Sequence, residues 1–219
     1  MKIFFDTEFT GLVPNTQLIS IGLISETNKA FYAEFTDYNK DLCDEWIQKN
    51  VIANLLYNDL GPFVNEGSDY VLVHSDSLCI RAELEKWLLS FGERVQLVSD
   101  VCHYDMTLFC NLFGGAFNIP PNVNPVCYDI SQDISKMKYK IITAETMMAG
   151  FNASREKICK TLNNGFLPKE NSLKHNSLYD AKVIKMIYDG MYKEKLKTKK
   201  CKKKTILDIV NKNKKKRGI

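Results

Sequence analysis

Residues 4–12 read FFDTEFTGL. The segment has the apolar character of a buried strand, yet it carries two acids, Asp6 and Glu8, one residue apart. On a strand, residues i and i+2 project to the same side. That puts Asp6 and Glu8 together with Phe4 behind them, while Ile3, Phe5, Thr7 and Phe9 take the opposite face. A strand this apolar belongs at the centre of a sheet covered on both sides. Two neighbouring carboxylates there suffer desolvation and mutual repulsion, and one tends to protonate. A bound divalent cation removes both costs. The alternative is a frayed strand end, where the acids meet water or lysine.

Working outward, residues 18–25 (LISIGLIS) and 29–36 (KAFYAEFT) read as two further short strands. Gly11–Pro14–Asn15 and Glu26–Thr27–Asn28 supply the turns, and such short links predict an antiparallel three-strand start. Helical patterning follows at 42–57 and at 80–91, where Ile80, Leu84, Trp87, Leu88 and Phe91 share a face. A strand near 95–99, a helix near 105–113 stopped by Gly114–Gly115, and a short strand at 126–130 come next. Residues 139–164 are partly helical in pattern. The clearest helix is 177–191, with Leu178, Ala181, Ile184, Tyr188 and Met191 on one face and Lys182 and Asp189 pointing away. Hairpin-linked strands followed by alternating helices and strands predict an α/β fold, a mixed central sheet flanked by helices.

At 219 residues, 45% hydrophobic and 26% charged, the chain has the make-up of one well-filled globular domain. No apolar run approaches the roughly 18 residues of a membrane span and no signal-peptide pattern opens the chain, so a cytoplasmic protein with no membrane partner is expected. The seven cysteines are scattered, without a CxxC pair, which argues against a disulfide framework and a cysteine-held zinc. Any metal must then be held by oxygen ligands. Thirteen of the 30 Lys and Arg residues lie in 193–219, against only Glu194 and Asp208, so a body at 1–192 is acidic and a Lys-rich tail at 193–219 is strongly basic. That asymmetry suits attraction of the tail to a polyanion such as single-stranded nucleic acid; a solubilising tail, or a nuclear address in a eukaryotic cell, is the other reading.

The run D-T-E-F-T-G-L at 6–12 resembles the first motif of the DEDD exonucleases, and two more elements complete the likeness. Residues 103–109 read HYDMTLF, where Tyr104–Asp105 is similar to that family's aromatic-Asp second motif. Asp100, at the strand end, is the rival for this position; Asp105 is favoured by its aromatic neighbour and its register with Leu108, Phe109 and Leu112. HNSLYDA at 175–181 gives His175 and Asp180 the H-x4-D spacing of the histidine-type (DEDDh) branch. For Asp180 a capping box with Ser177 is the bland alternative. Phe9 stands where relatives often carry threonine. The stretch YDMTLFCNLFG, with YDI at 128–130, also resembles stand-alone bacterial and phage exoribonucleases of that branch.

The resemblance implies an RNase H-like fold and a metal-dependent 3′→5′ exonuclease of single-stranded nucleic acid, RNA favoured over DNA, releasing nucleoside 5′-monophosphates. It implies two Mg²⁺ (or Mn²⁺) ions held by Asp6, Glu8, Asp105 and Asp180, with His175 as general base. Thr7, Phe9, Thr10, Gly11 and Leu12 are implied as contacts to the terminal nucleotide. The competing readings are a non-catalytic nucleic-acid-binding module and an endonuclease on the same sheet; His175 is the residue neither requires. Nothing in the sequence sets the oligomeric state, and a homodimer is compatible with it.

Overall fold

Lys2–Phe9 (β1), with Ile3, Phe4 and Phe5 all buried, is an interior strand of a seven-stranded mixed sheet. The computed structural model describes residues 1–135 and 174–190. β1 pairs antiparallel with β2 (Leu18–Ser25), which pairs antiparallel with β3 (Ala30–Phe35). The expected three-strand start is therefore present. Residues 63–75, unassigned from the sequence, form a hairpin of β4 (Phe63–Glu66) and β5 (Tyr70–Ser75), and β5 joins β3 in parallel. On the other side of β1 lie β6 (Gln96–Ser99) and the short β7 (Tyr128–Asp129), both parallel to their neighbours. The spatial order is β4-β5-β3-β2-β1-β6-β7.

Helices cover the two faces. Ile3 and Phe5 pack, on one side, with Ile80, Leu84, Trp87 and Leu88 of α2 (Ser77–Leu89) and with Leu108 and Phe109 of α3 (His103–Leu112). Phe4 looks the other way, into a smaller cluster with Ile24, Val98 and Ile130. There it meets Ala181, Val183, Ile184 and Ile187 of the helix at 177–190. Full burial of each such aliphatic side chain stabilises by roughly 1.5–3 kcal/mol, enough to anchor this late helix on the sheet. In chain order it is α5, after α4 (Ser131–Ser135).

The helical stretch expected around 42–57 is present only in pieces. The segment breaks into a single turn at Lys40–Leu42, α1 (Glu45–Asn50), and another turn at Ile52–Asn54. Asp44 caps α1 by accepting from the Ile47 amide, and beyond Asn54 the backbone amides of Leu56 and Tyr57 donate to the buried carboxylate of Glu34. Those tertiary bonds outcompete helical propensity. The five described cysteines are free thiols, and no described helix is long and apolar enough to cross a membrane. Residues 139–164, Met191 and the tail at 193–219 lie outside the described residues.

Candidate active site at the end of the central strand

β6 runs beside β1 only as far as the Phe4–Val98 pair. Past that point the edge of β1 is open, and the Thr7 amide turns to Asp105 at the start of α3. Asp105 Oδ1 accepts from the Thr7 amide at 2.9 Å and from the Thr7 hydroxyl at 2.7 Å. The rival Asp100 is not on the wall of the cavity that forms here; Asp105 is.

On the other face the sheet register arranges two lateral rows. Asp6, Gly22 and Tyr32 are neighbours across β1, β2 and β3, and so are Glu8, Ser20 and Glu34. The start of α5 lies directly over the middle of these rows. A Cβ on Gly22 would come within 2.2 Å of the Leu178 amide nitrogen, so only glycine lets the helix settle so low. Ser177 Oγ is 2.9 Å from Ser20 Oγ. This docking swings His175 and Asp180 toward the acids of β1: His175 Nδ1 is 4.0 Å from Glu8 Oε1. Glu8, His175 and Asp180, from opposite ends of the chain, each offer a ligating atom within 4.8 Å of the others.

Together Asp6, Glu8, Asp105, His175 and Asp180 line a cavity of about 510 Å³. Glu8, Asp105 and Asp180 are at most 9% exposed, and Asp6 is half-buried by its neighbours. Crowding of this kind penalises charge. Burial, then Asp180 and Asp105, push the Glu8 carboxyl up to about 8. Burial, reinforced by Asp105, Asp180 and Glu8, raises Asp6 well above the usual carboxylate range. Asp105 rises to about 6 through burial, although both bonds from Thr7 pull it down. A set of hard oxygen donors that repel one another, open on one side to solvent, is the donor chemistry of a site for Mg²⁺ or Mn²⁺. The residues present fit such ions.

The residues expected to touch a terminal nucleotide divide. Thr7 lines the cavity, and its polar atoms are spent on Asp105. Phe9 lines it too, with its ring stacked on Tyr104 at 5.3 Å. Gly11 (φ +153°) and the exposed Leu12 form the lip. Thr10 is placed differently: it is buried, accepts from the Gln17 amide and lies off the cavity wall, so it shapes the loop at 10–17.

The capping box with Ser177, the alternative for Asp180, is not formed. The cap of α5 is Asn176, whose Oδ1 accepts from the Tyr179 amide, while Asp180 Oδ2 accepts from the His175 amide at 2.9 Å. Asp180 thus fixes the histidine's backbone while lining the cavity. Sequence reasoning missed Asp44, Trp46, Ile47 and Lys174, which complete the wall. Trp46 meets the His175 ring edge-on at 5.0 Å. Their only signal in sequence is a helix start, and it takes the fold to bring that start over the site.

No protein-family model matches the chain. Two proteins of Mycobacterium tuberculosis, from strains CDC 1551 and H37Rv, are similar to it. Each is named a 3′-5′ exoribonuclease, and each is 28% identical over 124 residues. The matched region is 56% of this chain and 67% of the relative. They are distant relatives.

Proposed function

We infer that this chain is a metal-dependent 3′→5′ exonuclease of the DEDDh branch on an RNase H-like fold, cutting single-stranded nucleic acid, RNA in preference to DNA, from its 3′ end. The observation that carries the reading is the gathering of Glu8, His175 and Asp180 within 4.8 Å of one another, beside Asp6 and a Thr7-bound Asp105. The distant exoribonuclease relatives favour the same chemistry and RNA as substrate.

Asp6, Glu8, Asp105 and Asp180 would hold two Mg²⁺ or Mn²⁺ ions. When bound, the ions supply neutralisation of the phosphodiester and a readily deprotonated water. His175 takes the proton from the attacking water. Trp46 holds the His175 ring, and the bond from the His175 amide to Asp180 holds its main chain, for that step. Phe9, on the cavity wall, contacts the terminal base; a base stacking on an aromatic ring contributes about 1–3 kcal/mol. Leu12 and Gly11 at the lip separate the last nucleotide from the one before it. Cleavage releases a nucleoside 5′-monophosphate. The domain body runs through residue 192, and the basic tail at 193–219 adds affinity for the phosphate backbone.

The test is direct. Single-stranded RNA and DNA, 5′-labelled, are incubated with the protein and Mg²⁺ or Mn²⁺. A ladder shortening from the 3′ end, faster on RNA and absent in Asp6→Ala and His175→Ala, is expected. Internal cuts would move the protein to the endonucleases, and binding without cleavage to the non-catalytic modules.

A further inference from the structure

His175 has φ +67°, a left-handed backbone that a non-glycine residue holds only when its surroundings impose it. The next residue is bound from three directions. Asn176 Nδ2 donates to the Tyr32 hydroxyl (2.9 Å) and to the Asn54 carbonyl (3.1 Å), while its Oδ1 caps α5. The Tyr32 hydroxyl in turn donates to Glu34 Oε1 at 2.6 Å. Glu34, 1% exposed, spends its remaining capacity on the amides of Leu56 and Tyr57. Asn54 closes the loop by donating to the Lys174 carbonyl at 2.7 Å.

This buried relay therefore joins two separate walls of the cavity at one point. One wall is the segment 174–176; the other follows from the segment 44–57, which carries Asp44 and Trp46. A cap needs only the Asn176 oxygen. The amide nitrogen and the Tyr32–Glu34 pair beneath it are surplus to helix capping, and they sit where the strained histidine must be held. Buried polar chains of this kind are costly when half-satisfied, and here each member has its partner.

We propose that Asn176, backed by Tyr32 and Glu34, is the positioning residue of His175: the relay fixes the left-handed backbone and registers the imidazole against Trp46 and Glu8. The kinetic arm of the test rests on the exonuclease reading; the spectroscopic arm does not.

Asn176→Asp and Asn176→Ser keep an oxygen for the cap and remove the amide nitrogen that donates to Tyr32 and Asn54. Tyr32→Phe removes the middle hydroxyl at nearly constant volume. The chain has three histidines, so His175 ring signals can be assigned by difference with His175→Ala, and in the wild type they should show contact with the Trp46 indole. In all three variants that contact weakens or vanishes. kcat falls on the order of 10- to 100-fold, the scale of a displaced general base, with KM within about twofold. Asn176→Ser combined with Tyr32→Phe should be no worse than Asn176→Ser alone, because the two act as one unit.

An intact His175–Trp46 contact in the variants overturns the proposal, as do a loss carried by KM alone and full additivity of the double variant. If the wild type itself shows no turnover, the exonuclease reading fails while the ring signals still decide the positioning role. If an Asn176 variant does not fold, Tyr32→Phe, with the cap untouched, carries the test.

Discussion

Replacing Glu8 by glutamine should stabilise the metal-free protein, and the more so the higher the pH. In the folded protein the Glu8 carboxyl is pushed from its ordinary 4.5 up to about 8, first by burial and then by Asp180 and Asp105. Between those two values the folded chain keeps a proton that the unfolded chain has released. Stability therefore falls as pH rises through the window, and the full cost is present above about 8. Below about 4.5 both states are protonated and the cost vanishes. At about 1.4 kcal/mol per pKa unit, the ionised form carries a penalty on the order of 5 kcal/mol. Glutamine has no such titration, and any packing change it brings is independent of pH. In EDTA, the Tm advantage of Glu8→Gln over wild type should widen from pH 4.5 to pH 8.5 by on the order of 10 °C, given about 2–4 °C per kcal/mol for a chain of this size. Mg²⁺ should reverse the order at pH 8, because only the wild type keeps the full ligand set. Calorimetry at pH 7 in buffers of different ionisation enthalpy should find at least about one proton released on binding, from Glu8 together with whatever Asp6 still holds. A Tm gap that stays constant with pH, or binding without proton release, would refute the electrostatic reasoning.

Other outcomes follow from the same geometry. Thr7→Val removes the hydroxyl that donates to Asp105 and leaves the amide. A hydrogen bond to a charged group contributes about 1.5–3 kcal/mol, so activity at limiting Mg²⁺ should drop at least 10-fold with the fold intact by circular dichroism. Gly22→Ala forces a methyl into the backbone of Ser177 and Leu178. Urea unfolding should report a loss of about 3 kcal/mol or more, beyond the usual cost of overpacking, whereas Gly61→Ala, with open space around it, should be near neutral. Deleting residues 193–219 should weaken oligonucleotide binding and flatten its dependence on salt, since fewer phosphates are neutralised. Saturated turnover should be retained, and fluorescence anisotropy across a salt series measures the slope.

Much of this was legible because it obeys short-range periodicity. The three hairpin-linked strands are short, largely apolar runs bounded by turn residues, and the i, i+2 pairing of Asp6 with Glu8 is a property of any strand. The late helix announced its buried stripe through Ala181 and Ile184. What escaped depends on tertiary bonds. The break after Asn54 exists because Glu34 accepts the Leu56 and Tyr57 amides. The cap of α5 is Asn176 instead of Ser177 because Ser177 is drawn to Ser20 across the sheet. β4 and β5 were missed because Gly61–Pro62 and the polar end of FVNE interrupt any clean alternation. Thr10 resembles a contact residue in sequence but is turned inward by its bond from Gln17. Trp46 reached the site only through the path of the chain.

The central claim is that carboxylates from β1, α3 and α5 share a pair of divalent cations. Crystals soaked in Mn²⁺ and measured at the manganese absorption edge test it most directly. Two anomalous peaks are expected in the cavity, both within coordination distance of Asp6, with Glu8, Asp105 and Asp180 completing their shells. An empty cavity at saturating Mn²⁺, or a peak bound only by residues outside this set, would contradict it.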